Sequence, residues 1–130
     1  MTTDDELISA AWGARDKAYA PYSNFQVGAA LLATEGRVFS GCNVENISYG
    51  LTNCAERVAI GAAVAAGVRS FEKVVVVADT AQPISPCGAC RQVLAEFGVK
   101  KVILANRTER LEFSLEELLP RASTGILDRP

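Results

Sequence analysis

The chain has no histidine among its 130 residues. Proton transfer near neutral pH therefore falls to a carboxylate, a thiol or water. Basic runs are also missing. Lys100-Lys101 is the densest basic spot and the net charge is -2, which argues against nucleic acid as a partner, since polynucleotide binding shows as a basic patch or stripe. Long apolar runs are missing too. The longest, Val58 to Val68, is interrupted by glycines and too short to span a bilayer, so no membrane partner is expected. The first residues, Met-Thr-Thr-Asp-Asp-Glu, are acidic where a secretory signal begins basic, and the chain is read as cytoplasmic. Thiols stay reduced in that compartment, so its four cysteines read as metal ligands or buried thiols rather than disulfides.

Hydrophobic residues make up 49% of the chain and charged ones 22%, the composition of a globular enzyme or binding domain. Residues 1–130 read as a single domain that buries close to two-thirds of its unfolded surface, roughly as chains of this size do. Thr3 and Glu6 have capping-box spacing, and Leu7, Ala10, Ala11, Ala14 and Ala18 recur at helical intervals up to about Tyr19. Phe25 to Thr34 and Arg37 to Val44 read as a hairpin around Glu35-Gly36. Cys54 to Ala66 is an Ala-rich helix stopped by Gly67, expected to be largely buried. The β-branched run Lys73 to Ala78 suits a central strand covered on both faces. A third helix starts at Cys87 and ends before Gly98; Lys101 to Ala105 is a strand and Glu109 to Phe113 a short edge strand. Ser114 and Glu117 cap a last helix ending near Pro120, and Arg121 to Pro130 carries no clear signal. This order makes an α/β fold, a mixed sheet with helices on both faces.

The chemistry concentrates in Asn53-Cys54-Ala55-Glu56-Arg57 and Pro86-Cys87-Gly88-Ala89-Cys90. Cys87 and Cys90 have the spacing with which two thiolates chelate one zinc, and Cys54 can supply a third sulfur from another helix end. Side chains of a helix's first turn reach past its end, where free amides and the positive end of the helix dipole favour thiolates. Three protein ligands leave a fourth position for water, and Glu56 is the carboxylate nearest a ligand in sequence. Three thiolates make the zinc cluster formally -1, and Arg57 is placed to donate hydrogen bonds to the ligand sulfurs. Other readings stay open on these residues alone. Cys87 and Cys90 could be a redox pair, Cys42 could close a four-cysteine structural site, and Glu56 could be a helix-capping residue. Phe25 could be core, and Asn43 and Glu45 could simply solvate a loop.

From about Ala11 to Pro120 the sequence resembles the small, free-nucleoside cytidine deaminases. The resemblance rests on Tyr22-Ser23-Asn24-Phe25, Val27-Gly28-Ala29-Ala30, Gly41-Cys42-Asn43-Val44-Glu45-Asn46, Cys54-Ala55-Glu56-Arg57 and Ser85-Pro86-Cys87-Gly88-Ala89-Cys90-Arg91-Gln92. A zinc-deaminase signature pairs such cysteines with a Glu that is not a ligand. The resemblance implies a three-layer α-β-α sandwich around a mixed sheet of about five strands, with one zinc per chain on Cys54, Cys87 and Cys90. It implies that Glu56 carries a proton from zinc-activated water to the ring and the leaving amino group, turning cytidine, and deoxycytidine, into the uridine form plus ammonia in pyrimidine salvage. By the same resemblance Phe25 packs on the base, Ala55 and Ser85 meet its polar edge, and Asn43 and Glu45 bind ribose hydroxyls. Tyr49 reaches a neighbouring subunit's pocket in a homotetramer. The sequence departs from the family after Pro120, where an aromatic residue is expected and Arg121 to Leu127 holds none.

A close variant within the same chemistry is a deaminase of a nucleoside antibiotic or another cytosine derivative. From a different class, the chain could be a zinc-stabilised binding module without turnover, closed by Cys42. A thiol-disulfide oxidoreductase is the third option. Glu56 and the Asn43-x-Glu45 pair favour the enzyme, because a non-catalytic module leaves them without a role.

Overall fold

The computed structural model describes residues 2–125; the expectations for residues 126–130 lie outside it. Five strands form one mixed sheet in the order β2-β1-β3-β4-β5. They are β1 Val27–Ala33, β2 Val38–Cys42, β3 Phe71–Ala78, β4 Lys101–Ala105 and β5 Arg110–Ser114. Only β3 and β4 run parallel, joined through a helix; the remaining neighbours are antiparallel. The helices are α1 Asp4–Arg15, α2 Ala55–Ala65, α3 Gly88–Glu96 and α4 Leu115–Leu118, with a 3-10 turn at Tyr49–Leu51.

Strand alternation divides the core into two layers. Ala29, Leu31, Val74, Val76, Val102 and Leu104 face α2 and α3, together with Ala59, Ala63 and Leu94 from those helices. Their neighbours Ala30, Val75, Val77, Ile103 and Ala105 face α1 through Leu7 and Ala11. The expected three layers and the central position of β3 are present. Two glycines set how closely the helices lie on the sheet. A Cβ on Gly28 would collide with the Ala11 carbonyl oxygen and with Arg15, and one on Gly41 would sit 2.5 Å from both the Ala55 carbonyl oxygen and the Ala59 nitrogen. Backbone approach of this kind needs a residue without a side chain. Gly41 therefore determines where the first turn of α2 rests.

Among the differences from the sequence expectation, two boundaries have a clear physical cause, and the burial of one helix differs too. α1 stops at Arg15 rather than near Tyr19, because Tyr19 is drawn into a bridge with Val44: its N–H donates to the Asn43 carbonyl and its carbonyl accepts from Glu45. β1 begins at Val27 rather than Phe25. The Asn43 side chain takes both the Val27 N–H and the Phe25 carbonyl, and Asn24 turns the chain at φ 56°, a left-handed conformation that Asn tolerates better than most residues. Phe25 is therefore a loop residue. α2, expected to be largely buried, buries Ala55, Ala59, Ile60 and Ala63 but leaves Gly61, Ala62, Ala65 and Ala66 exposed.

The register gathers several chain segments at one edge. Val27 pairs with Ala78 and Gly28 with Cys42, so the start of β1, the end of β2 and the carboxyl end of β3 coincide. The carboxyl ends of parallel strands are where α/β sheets open crevices for ligands.

Candidate active site

Cys54 and Cys87 are the N-caps of α2 and α3, both in extended conformation, and Cys90 lies in the first turn of α3. Each helix thus directs its free amides at the same point. The three Sγ atoms lie within 4.8 Å of one another. Tetrahedral thiolates at the usual zinc distance sit roughly 3.8 Å apart, so the donor set fits zinc with modest tightening. The Cys90 N–H donates to Cys87 Sγ at 3.4 Å, and Arg57 Nη2 donates to Cys54 Sγ at 3.3 Å, as its spacing foretold. Cys42 ends β2 opposite Gly28 and does not belong to the cluster.

The thiols do not share their proton evenly. Cys54 is drawn down to about 5, first by the hydrogen bond from Cys90 and then, against burial, by Arg57. Cys90 is pushed up by donating that bond and by its burial. Arg57 is pushed up by its bond to Cys54 and stays charged throughout. Glu56, only 4% exposed, has its carboxyl raised above the ordinary range by burial, with the nearby Cys54 charge adding and Arg57 opposing. A carboxyl held closer to neutrality both accepts and returns a proton readily.

A cavity of about 240 Å³ opens beside these groups, lined by Phe25, Val27, Asn43, Thr52, Cys54, Ala55, Glu56, Ile84, Ser85 and Cys87. A second, of about 220 Å³, is lined by Tyr22, Ser23, Glu45, Tyr49 and Thr52. Thr52 lines both. Each alone is somewhat smaller than ordinary small-molecule sites, roughly 300–1,000 Å³; the carboxyl, Cys54 and Cys87 line the first and Glu45 the second.

Every residue expected at the site lines one of the two cavities, apart from Cys90, buried beneath them, and Arg57. Asn43 and Glu45 also do work the sequence left unassigned. Asn43 Oδ1 accepts from Val27 at 2.9 Å and its Nδ2 donates to Phe25 at 2.8 Å. Glu45 Oε1 accepts from the Tyr22 and Ser23 amides at 3.0 and 3.2 Å, and the Ser23 hydroxyl donates to Oε2. That hydroxyl in turn accepts from the Phe25 N–H at 3.0 Å. The two polar residues therefore hold the loop that presents Phe25. The Ser23 bond, then the two amides, keep the Glu45 carboxyl below its usual range. Sequence reasoning missed Thr52 and Ile84, whose only signal was adjacency to Asn53-Cys54 and to Ser85.

Two helix N-termini presenting three cysteine sulfurs beside a buried carboxyl, at the edge of an α-β-α sandwich, define a metal-dependent hydrolytic site. The profile of the cytidine and deoxycytidylate deaminase zinc-binding region matches residues 1–106. Cytidine deaminases of Sporosarcina psychrophila and Halalkalibacterium halodurans are each 54% identical, over 121 and 122 residues; these cover 91% and 92% of this chain and 89% and 92% of theirs. The cytidine deaminase of Burkholderia pseudomallei superposes with a TM-score of 0.90 at 54% identity, over 94% of this chain and all of that one. The Mycobacterium tuberculosis enzyme does so at 0.80 and 41%, over 93% and 98%. The chain belongs to the cytidine and deoxycytidylate deaminase family, whose members are zinc-dependent hydrolytic enzymes.

Proposed function

We infer that residues 1–130 form one deaminase domain that converts cytidine and deoxycytidine to uridine and deoxyuridine with release of ammonia, a pyrimidine-salvage reaction. The observation that carries this reading is the buried Glu56 carboxyl, set beside the Cys54-Cys87-Cys90 cluster in a cavity that shares the lining residue Thr52 with the Glu45 cavity. The three cysteines would hold one zinc, which when bound supplies the Lewis acidity that makes water nucleophilic near neutral pH. Glu56 takes a proton from the attacking water and gives it to the ring nitrogen; it then takes the proton of the newly added hydroxyl and gives it to the amino group, which leaves as ammonia while the carbonyl forms. Burial of Glu56 keeps these protons from exchanging freely with solvent. Phe25 packs on the pyrimidine, Ala55 and Ser85 orient its polar edge, and Asn43 and Glu45 receive the ribose hydroxyls with the hydrogen-bonding capacity their loop contacts leave.

Loss of cytidine absorbance in the zinc-loaded protein tests the reading directly. Turnover is expected, with kcat/KM for cytidine far above that for cytosine, because binding of the sugar positions the reacting ring. Acidic Glu45 disfavours phosphorylated substrates, so CMP should be poor. A zinc-loaded protein that turns over none of these, or one indifferent to the sugar, defeats the corresponding assignment.

We also infer a homotetramer in which Tyr49 completes a neighbour's pocket. Tyr49 is 73% exposed and meets Tyr22 edge-on at 5.8 Å. It is flanked by Ile47 at 81% and Leu51 at 66% exposure. The exposed small residues of α2, Gly61, Ala62, Ala65 and Ala66, would let another backbone approach closely. Three free thiols at one site suit a reducing cytoplasm. Among the described residues no helix is long and apolar enough to cross a membrane.

A further inference from the structure

Arg91 follows directly on Cys90, and its guanidinium bonds backbone carbonyls. Its Nε donates to the Pro86 carbonyl at 2.9 Å and its Nη1 to the Leu118 carbonyl at 2.8 Å. Pro86 is buried and immediately precedes Cys87; Leu118 is the last residue of α4. The Arg91 N–H meanwhile donates to the Cys87 carbonyl at 3.0 Å. The side chain thus grips the Pro86 carbonyl at the start of the Cys87 turn, while the backbone N–H closes the first turn of α3 as any residue's would. The side chain anchors that grip to a helix end, whose unpaired carbonyls favour a cation. The Pro86 carbonyl belongs to the peptide that carries the Cys87 N–H, so the contact bears directly on the orientation of Cys87. The next side chain reinforces the anchor. Gln92 Nε2 donates to the Ser123 carbonyl at 2.9 Å and its Oε1 accepts from the Ser123 N–H at 3.0 Å, holding the segment after α4 against α3.

We propose that Arg91 is a positioning residue for the metal site. Its fork ties the Pro86-Cys87 peptide to the carboxyl end of α4, so that the placement of the Cys87 and Cys90 sulfurs, and with it zinc retention, depends on the docking of the C-terminal segment on α3. A lysine cannot reproduce this, because its ammonium is a single point donor, whereas the planar guanidinium presents two donors in fixed relation. The inference rests on Cys87 and Cys90 being ligands. Zinc content of Cys87→Ser tests that reading separately: a variant that keeps its metal defeats the ligand assignment whatever Arg91 does.

The test is zinc release to a chromogenic chelator from purified Arg91→Gln, compared with Ile103→Val. Ile103 is buried in the layer facing α1, away from the metal turn, so its conservative truncation reports what lowered stability alone does to release. With thermal stability measured for both, Arg91→Gln is expected to release zinc about tenfold or more faster than Ile103→Val, the usual scale for losing a contact that orients ligands. Arg91→Lys should fall between Arg91→Gln and the unaltered protein. In the cobalt-substituted proteins, the thiolate charge-transfer band should move in Arg91→Gln and not in Ile103→Val. Release no faster than stability predicts, with an unmoved cobalt band, overturns the proposal. If Arg91→Gln does not fold, Arg91→Lys is judged by the same two readouts.

Discussion

Glu56 shows how one side chain is placed against its own solvation. It is buried beside Cys54, and both burial and that thiolate disfavour its charge. Glu56→Gln should therefore keep the fold and the zinc while losing activity by at least the roughly 10²- to 10⁴-fold that general acid-base help supplies; metal analysis beside an absorbance assay checks both. A second consequence concerns stability. Because the folded-state pKa lies above the unfolded value of 4.5, the folded chain binds more protons than the unfolded chain between the two, and stability falls as pH rises through that window. Metal-free Glu56→Gln should match the unaltered metal-free protein below pH 4.5 and exceed it in urea stability above; equal stability at neutral pH would contradict the burial cost. Cys42 makes the opposite case. It stands outside the thiol cluster, so Cys42→Ala should retain a full complement of zinc, and metal loss would reopen the four-cysteine reading.

At the scale of elements, the site is a product of how α2 and α3 rest on the sheet. Gly41 permits α2 to touch β2 backbone to backbone, and a methyl group there would meet the Ala55 carbonyl and the Ala59 amide at 2.5 Å. Gly41→Ala should destabilise the protein by about 1–3 kcal/mol, the scale of an overpacked core, and should also weaken zinc binding because Cys54 caps the displaced helix. Denaturant titration and zinc affinity measure the two effects; unchanged zinc affinity would show that α2 can slide without moving its cap. Gly61 is the contrast: nothing lies within 4 Å of a Cβ there. The β1–β2 edge carries a similar lesson. Asn43 and Glu45 each face a cavity while holding the Tyr22–Val27 loop, so substituting either should disturb Phe25 as well as the cavity it lines.

For the whole molecule, the exposed set Ile47, Tyr49 and Leu51 and the small residues on the open face of α2 are the surfaces on which the proposed assembly would form. Light scattering at micromolar concentration should give the mass of four chains. A fully active monomer would defeat the assembly. Mixing inactive Glu56→Gln subunits with inactive Tyr49→Ala subunits should restore part of the activity, since some sites then draw both intact residues from different chains. No recovery despite proven subunit exchange would leave Tyr49 a local role only.

The sequence alone determined what depends on spacing along the chain. The Thr3-Glu6 and Ser114-Glu117 capping boxes, the strand at Lys101–Ala105 and the central β3 follow from period and capping chemistry that act over a few residues. Cys87-x-x-Cys90 was legible for the same reason, and the deaminase resemblance supplied roles for Cys54 and Glu56. Only the tertiary structure decided what depends on distant partners. It ended α1 at Arg15 through the Tyr19–Val44 bridge and took Phe25 out of β1 through the Asn43 side chain. It left Cys42 outside the thiol cluster although it is a cysteine like the others. It also joined Arg91 to Leu118 across 27 residues, because a side chain's hydrogen-bond partner is chosen by packing, and no local period records that choice.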